Sequence, residues 1–241
     1  MFKKSVVLNL YTANPAAYET AKPNWGKDKP KPSWLKELKT SMTMWWDHLG
    51  MWGKTSTVAI CPGIREYIAT PIHQNMWADL DIRVNPDGTF TTSAEMRPWD
   101  VHVSEHPEIQ WKGLYTGKRL ALKLDNPWKA VSDSPINYLM CESHYSTNYF
   151  RDRQVWMSPG VTNYKYQHSL NVHLNCPVKE EPYIVSLKYD CPLISIFPMT
   201  DRHVEIRHHL IDQDQWNKIG SQMPMTMVGR YYRQKGVKKL Q

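Results

Sequence analysis

Met76-Trp77-Ala78-Asp79-Leu80-Asp81-Ile82-Arg83-Val84 runs directly into Asn85-Pro86-Asp87-Gly88 and then Thr89-Phe90-Thr91-Thr92. Met76, Ala78, Leu80, Ile82 and Val84 alternate with Trp77, Asp79, Asp81 and Arg83, the period of two that puts one face of a strand inward and the other outward. Asn-Pro-Asp-Gly is a strong turn signal, because Pro presets one backbone angle and Gly accepts a conformation closed to other residues. The stretch predicts a β-hairpin.

Working outward from it, further β segments are expected at Leu120 to Leu124, Ile136 to Cys141, Gln154 to Met157, Leu170 to Leu174, Tyr183 to Leu187, Leu193 to Phe197 and His203 to Ile206. They recur with Pro, Gly or Asn between them and without a repeat unit, the pattern of an all-β sandwich or barrel. A β-clip and a jelly roll are both among the arrangements it allows. Upstream, Val6, Leu8 and Leu10 predict a first strand, and Ser56 to Ile60 a further β-rich segment closed by Cys61-Pro62-Gly63. Pro15, Pro23, Pro30 and Pro32 exclude regular structure over residues 11–34 and predict an extended arm or loop. Residues 40–53 read as a polar, Met- and Trp-rich connection. Helix is expected only in short pieces near 33–39, 63–69 and 212–219. The division that follows is an N-terminal Pro/Trp-rich arm and short helix over 1–55, a β domain over 56–210, and a short helix with a basic tail over 211–241.

The net charge of +7 is concentrated at the ends. Residues 1–39 carry eight Lys against three acids and residues 230–241 carry five Lys or Arg against none, so the body between them is mildly acidic. A nucleic-acid-binding domain would carry a basic stripe through its fold; here nucleic acid is a partner only for the tails. No apolar stretch approaches the roughly 18 residues of a spanning helix, and the opening apolar run is too short for a signal-peptide core. A soluble protein with no membrane partner is expected. The four cysteines stand singly, with no Cys-x-x-Cys pair, and read as buried thiols.

Eleven tryptophans are unusual for 241 residues. An exposed platform of them would bind sugar or nucleobase, but Trp25, Trp34, Trp45, Trp46 and Trp52 fall in the irregular first quarter and read as anchors for loops or interfaces. Among ten histidines, His102 and His106 flank Glu105, and His203 and Glu205 are two apart on a strand, on one face. If the chain held a metal, His102, His106, His203 and Glu205 would be its ligands. They lack tight ligand spacing, so no metal and no cofactor is expected. There is no Gly-rich phosphate loop, nucleophile elbow or Walker lysine, and no catalytic residue is assigned.

Pro32-Ser33-Trp34-Leu35, Cys61-Pro62-Gly63-Ile64, Trp77-Ala78-Asp79-Leu80, His106-Pro107-Glu108-Ile109-Gln110, Asn126-Pro127-Trp128, Pro159-Gly160-Val161 and Cys191-Pro192-Leu193-Ile194-Ser195-Ile196-Phe197-Pro198 occur in this order. Together, over roughly residues 30–200, they resemble a family of uncharacterised proteins encoded mainly by tailed bacteriophages with large genomes, marine ones included. The C-terminal half is also similar, more weakly, to the β-clip proteins related to dUTP pyrophosphatases, through Pro159-Gly160-Val161-Thr162-Asn163-Tyr164 and Asp190-Cys191-Pro192-Leu193-Ile194-Ser195. That family places a catalytic Asp in the first motif and a Gly and an Ala-Gln pair in the second. Here those positions hold Asn163, Cys191 and Ser195, and an amide cannot act as a general base. The resemblance therefore implies the scaffold without its catalysis.

The resulting expectation is a virion structural component, a neck, tail or capsid-associated subunit, that binds other virion proteins or copies of itself through its arms. It would reside in the virion or the host cytoplasm. The alternative is an enzyme of the infected cell, a cupin-like iron oxygenase or a nucleotide-processing β-clip relative. The partner-binding residues expected are Arg230, Tyr231, Tyr232, Arg233, Lys235, Lys238 and Lys239. This tail has too few apolar side chains to offset the roughly 1–2 kcal/mol per residue that ordering its backbone costs, so its contacts are expected on a partner.

Overall fold

The computed structural model describes residues 4–29, 33–94, 101–106, 117–143 and 155–221. The chain opens with β1 (Val6–Thr12), α1 (Pro15–Thr20), the short β2 (Asn24–Trp25), α2 (Ser33–Glu37), β3 (Ser41–Trp46), β4 (Met51–Ser56) and α3 (Pro62–Ala69). Then come β5 (Ile72–Asn75), β6 (Leu80–Val84), β7 (Phe90–Ala94), β8 (Val103–Glu105), β9 (Arg119–Leu124), β10 (Lys129–Ser132) and β11 (Tyr138–Glu142). The last elements are β12 (Trp156–Met157), β13 (Gly160–Thr162), β14 (Val172–Pro177), β15 (Tyr183–Leu187), β16 (Pro192–Pro198), β17 (Val204–Leu210) and α4 (Gln213–Ser221). The protein is all-β with a few short helices, and among the described residues no sheet closes into a barrel.

Four sheets share one core. Their strand orders are β10-β1-β17, β13-β11-β16-β5-β2, β12-β14-β9-β8 and β15-β6-β7. Pairing is antiparallel except between β1 and β17, which run parallel from Val6 beside Val204 to Thr12 beside Leu210. β1 shows why the sequence alternates: Val6, Leu8 and Leu10 are fully buried, while Tyr11 on the other face stacks on His209 at 4.7 Å and Asn9 Oδ1 meets His209 Nε2 at 2.8 Å. Leu122, Leu124 and Tyr138 from other sheets, with Trp128 and Tyr164 from connecting segments, complete the core.

The expected hairpin is present as β6 and β7, with Val84 opposite Phe90, and β15 matches its expected range of Tyr183 to Leu187. Helices α2, α3 and α4 lie where short helices were expected. Three local readings are corrected. Over residues 11–34, Pro15 starts a helix instead of preventing one: it occupies the first turn, where its missing N–H costs nothing, and Asn14 Oδ1 accepts from the amides of Ala16 and Ala17. At Ser56 to Ile60 the strand ends at Ser56, and Val58–Ile60 is a 3₁₀ turn capped by the Thr57 hydroxyl. Residues 76–78 are not a strand; Met76, Trp77 and Ala78 are all buried, in a loop held by the Met76 amide on the Cys191 carbonyl and the Asp190 amide on the Met76 carbonyl. Nor are all the cysteines buried: Cys176 is, but Cys61, Cys141 and Cys191 are half-buried, and all four are free thiols.

Candidate interaction site

The residues singled out for metal binding lie on two different sheets. His102 and His106 sit at the two ends of β8, where His102 Nδ1 meets the Asp125 carboxylate at 2.8 Å and the His106 ring packs on His173 at 4.8 Å. Burial, with the neighbouring His106 and Lys123, pushes the His173 imidazole down to about 4. His203 and Glu205 are at the start of β17, and the Glu205 carboxylate is engaged by Arg207 at 2.8 Å, which holds it below the usual carboxylate range. Among the described residues no three His, Cys, Asp or Glu side chains converge to hold a metal ion. The positions matching the β-clip motifs are used for packing: the Asn163 amide donates to Asn137 Oδ1 at 3.2 Å and Ser195 lies in a buried network. Arg230, Tyr231, Tyr232, Arg233, Lys235, Lys238 and Lys239 lie outside the described residues.

That network went unread in the sequence. His73 on β5, Ser143 just after β11 and Ser195 on β16 meet in the middle of the five-stranded sheet. The serine hydroxyls are 2.8 Å apart, and they lie 3.3 and 3.1 Å from His73 Nδ1. Nε2–H donates to the Ile68 carbonyl at 2.9 Å, which leaves Nδ1 to accept from a hydroxyl. Burial lowers the affinity of this ring for a second proton. A hydroxyl beside an imidazole is the pairing nucleophilic catalysis uses, but Ser195 is 0% and His73 4% exposed, and a backbone carbonyl takes the place of the orienting carboxylate. The trio clasps three strands. Gly26 packs directly over it, where an added Cβ would stand 1.8 Å from the Ile68 carbonyl oxygen and 2.7 Å from His73 Nε2.

The surface with no such explanation in packing is the β3–β4 hairpin. Among the described residues the two strands pair only with each other, from Ser41 opposite Ser56 to Trp46 opposite Met51. The turn closes by bonds from the Leu49 and Gly50 amides to the Trp46 carbonyl at 3.0 and 2.8 Å, with Gly50 at φ +58, a conformation a residue without Cβ adopts freely. At the base, the Thr57 hydroxyl donates to the Lys39 carbonyl and the Thr57 amide to Thr40. By alternation, one face carries Met42, Met44, Trp46 and Met51 and the other Trp45 and Trp52, which meet edge to face at 5.8 Å. Trp46 folds back across Gly53, whose missing side chain makes the room.

Met42, Met44, Trp45, Leu49, Met51 and Trp52 are between 43% and 65% exposed. Of the two roles expected for Trp45 and Trp52, anchors for loops or for interfaces, the first does not describe them, because they are 45% and 65% exposed. The signal was present in the composition of 40–53, but apolar residues on both faces of a hairpin leave no alternation to read. No protein-family model matches the chain, and a search of curated proteins finds no similar sequence.

Proposed function

We propose that this chain is an assembly subunit, a structural component of a phage particle such as a neck, tail or capsid-associated protein, that holds its neighbours through the projecting hairpin. The observation that carries the reading is the hairpin's six large apolar side chains, each at least 43% exposed. Contiguous apolar surface of that kind marks interaction sites on soluble proteins, and a two-stranded hairpin standing alone in water is only marginally stable. Both costs vanish when a neighbour covers it. Aromatic and Met side chains are also the types enriched at the centres of protein interfaces. The basic tail supplies a second, salt-sensitive contact in the same reading. The test is mass spectrometry of purified particles from cells producing this chain. The chain is expected in the particles at fixed copy number and its Trp45→Ser/Trp52→Ser variant is expected to be missing; finding the unmodified chain only in the soluble lysate overturns the reading.

A further inference from the structure

A cleft of about 630 Å³ opens between α1, residues 125–127 and α4, and no hairpin residue lines it. Its size falls within the range of ~300–1,000 Å³ that encloses compact ligands. The protein's own bonds hold its walls in place. Asn14 Oδ1 accepts from the Ala16 and Ala17 amides. Asn126 donates to the Leu170 carbonyl at 3.1 Å and accepts from the Trp128 amide at 2.9 Å. The two Asp125 carboxylate oxygens meet His102 and Lys123, each at 2.8 Å. Lys129 donates to the Trp216 carbonyl at 2.8 Å and lies over the Trp216 indole at 4.0 Å. Lys129 is not one of the cleft's walls while Trp216 is, so the ammonium covers the ring face turned from the cleft and leaves the other face bare.

What this framework leaves unanswered is polar. Trp77 lines the cleft although it is only 2% exposed, and no described residue accepts from its indole N–H, which stays open to solvent. A buried indole N–H ordinarily has an acceptor; here one has to enter the cleft. Asn14 Nδ2 and Gln213 Oε1 likewise bond to no described residue. The Asp125 carboxylate, 40% exposed, keeps lone pairs beyond the two in use. Donors and acceptors thus stand together beside one bare indole face, as a ring of hydroxyls requires, because each hydroxyl both gives and accepts. No Lys or Arg lines the cleft, so a phosphate or carboxylate would enter without a counter-charge, and Asp125 is already balanced by Lys123, so a cation gains little. We infer that the cleft binds a neutral saccharide. The C–H face of one sugar ring lies on Trp216, whose electron-rich face attracts it, and its hydroxyls bond to Trp77 Nε1, Asn14 Nδ2 and Asp125. The inference does not depend on the assembly reading.

The experiment is a binding screen on the purified full chain with two arms. One is an array of immobilised neutral glycans; the other is saturation-transfer NMR with free maltose, cellobiose, lactose and diacetylchitobiose, and with adenosine monophosphate as the anionic, aromatic competitor. Binding of a free disaccharide assigns the cleft to a soluble sugar, and binding on the array alone assigns it to a longer glycan. Trp216→Ala is expected to weaken binding about 10-fold or more, the scale of one lost stacking contact, and Trp77→Phe about fivefold, the scale of one hydrogen bond. Gln213→Trp, at an exposed position on α4, narrows the cleft without touching the core and is expected to abolish binding, which keeps the test decisive if either tryptophan variant misfolds; circular dichroism checks each. Trp45→Ser/Trp52→Ser is expected to bind like the unmodified chain. Sugar binding that survives Gln213→Trp or is lost with the hairpin tryptophans overturns the inference. So does the absence of binding on both arms, or a stronger response to adenosine monophosphate than to every sugar.

Discussion

β1 and the β3–β4 hairpin are two β segments from the same first quarter of the chain, and they spend their apolar residues in opposite ways. In β1 every second residue is apolar, and Val6, Leu8 and Leu10 are fully buried between β10 and β17. In the hairpin the apolar residues fall on both faces and around the turn, and six of the large side chains are 43% to 65% exposed. Alternation is the mark of a strand serving its own domain; its loss in the hairpin leaves Trp and Met side chains exposed on both faces, the surface that the proposed assembly role assigns to a neighbour.

The contrast gives predictions that differ in size. Leu10→Ala, at a fully buried site in the central strand, is expected to cost about 2–5 kcal/mol, since the transfer energy is lost and a cavity remains; urea unfolding measures it. A value under about 1 kcal/mol would remove β1 from the core side of the comparison. Gly26→Ala should cost about 1–3 kcal/mol, because its methyl would meet backbone at 1.8 Å and overpacked interiors resist such additions. The loss is expected to disappear from no single partner change, since the obstacle is the Ile68 carbonyl and not a side chain.

A smaller effect is expected from pH. The buried His73 and His168 and the half-buried His173 and His208 are all held below the ordinary value of 6.5, His173 at about 4, with desolvation the first cause in each. The unfolded chain therefore binds more protons than the folded one in this window. The stabilisation is fully present above about pH 6.5 and is lost as pH falls toward 4. Unfolding midpoints that stay flat from pH 7 to pH 4.5 would contradict the neutral, packed histidines described above. The smallest change belongs to the hairpin: Trp45→Ser/Trp52→Ser should alter the stability of the monomer by no more than about 0.5 kcal/mol, as surface positions usually do.

Where one rule governed a segment, the sequence could be read directly. β6, β7 and β15 follow period two with clear turns, and α3 begins at Pro62, where Pro-Gly already marked a boundary. Other features depend on distant residues. β5 is Ile-His-Gln-Asn, buried throughout, and its polar side chains are satisfied from far along the chain: His73 by Ser143 and Ser195, 70 and 122 residues away, Gln74 by the Ala21 carbonyl, 53 away, and Asn75 by Asp190, 115 away. α1 was hidden because Pro15 was weighed as a breaker without its N-cap, Asn14. The hairpin was visible only as composition, and the metal candidates were a proximity in sequence that the sheets separate.

The central claim, that the hairpin serves a neighbour and not its own fold, is tested most directly by excising it. Thr40 and Thr57 are already hydrogen-bonded across its base, so a Gly-Asn-Gly turn can replace residues 41–56. Urea unfolding of that chain, at a concentration where both forms are monomeric, is predicted to give the midpoint of the unmodified protein. A chain that unfolds at markedly lower urea, or fails to fold, would place the hairpin in its own subunit's core and contradict the account.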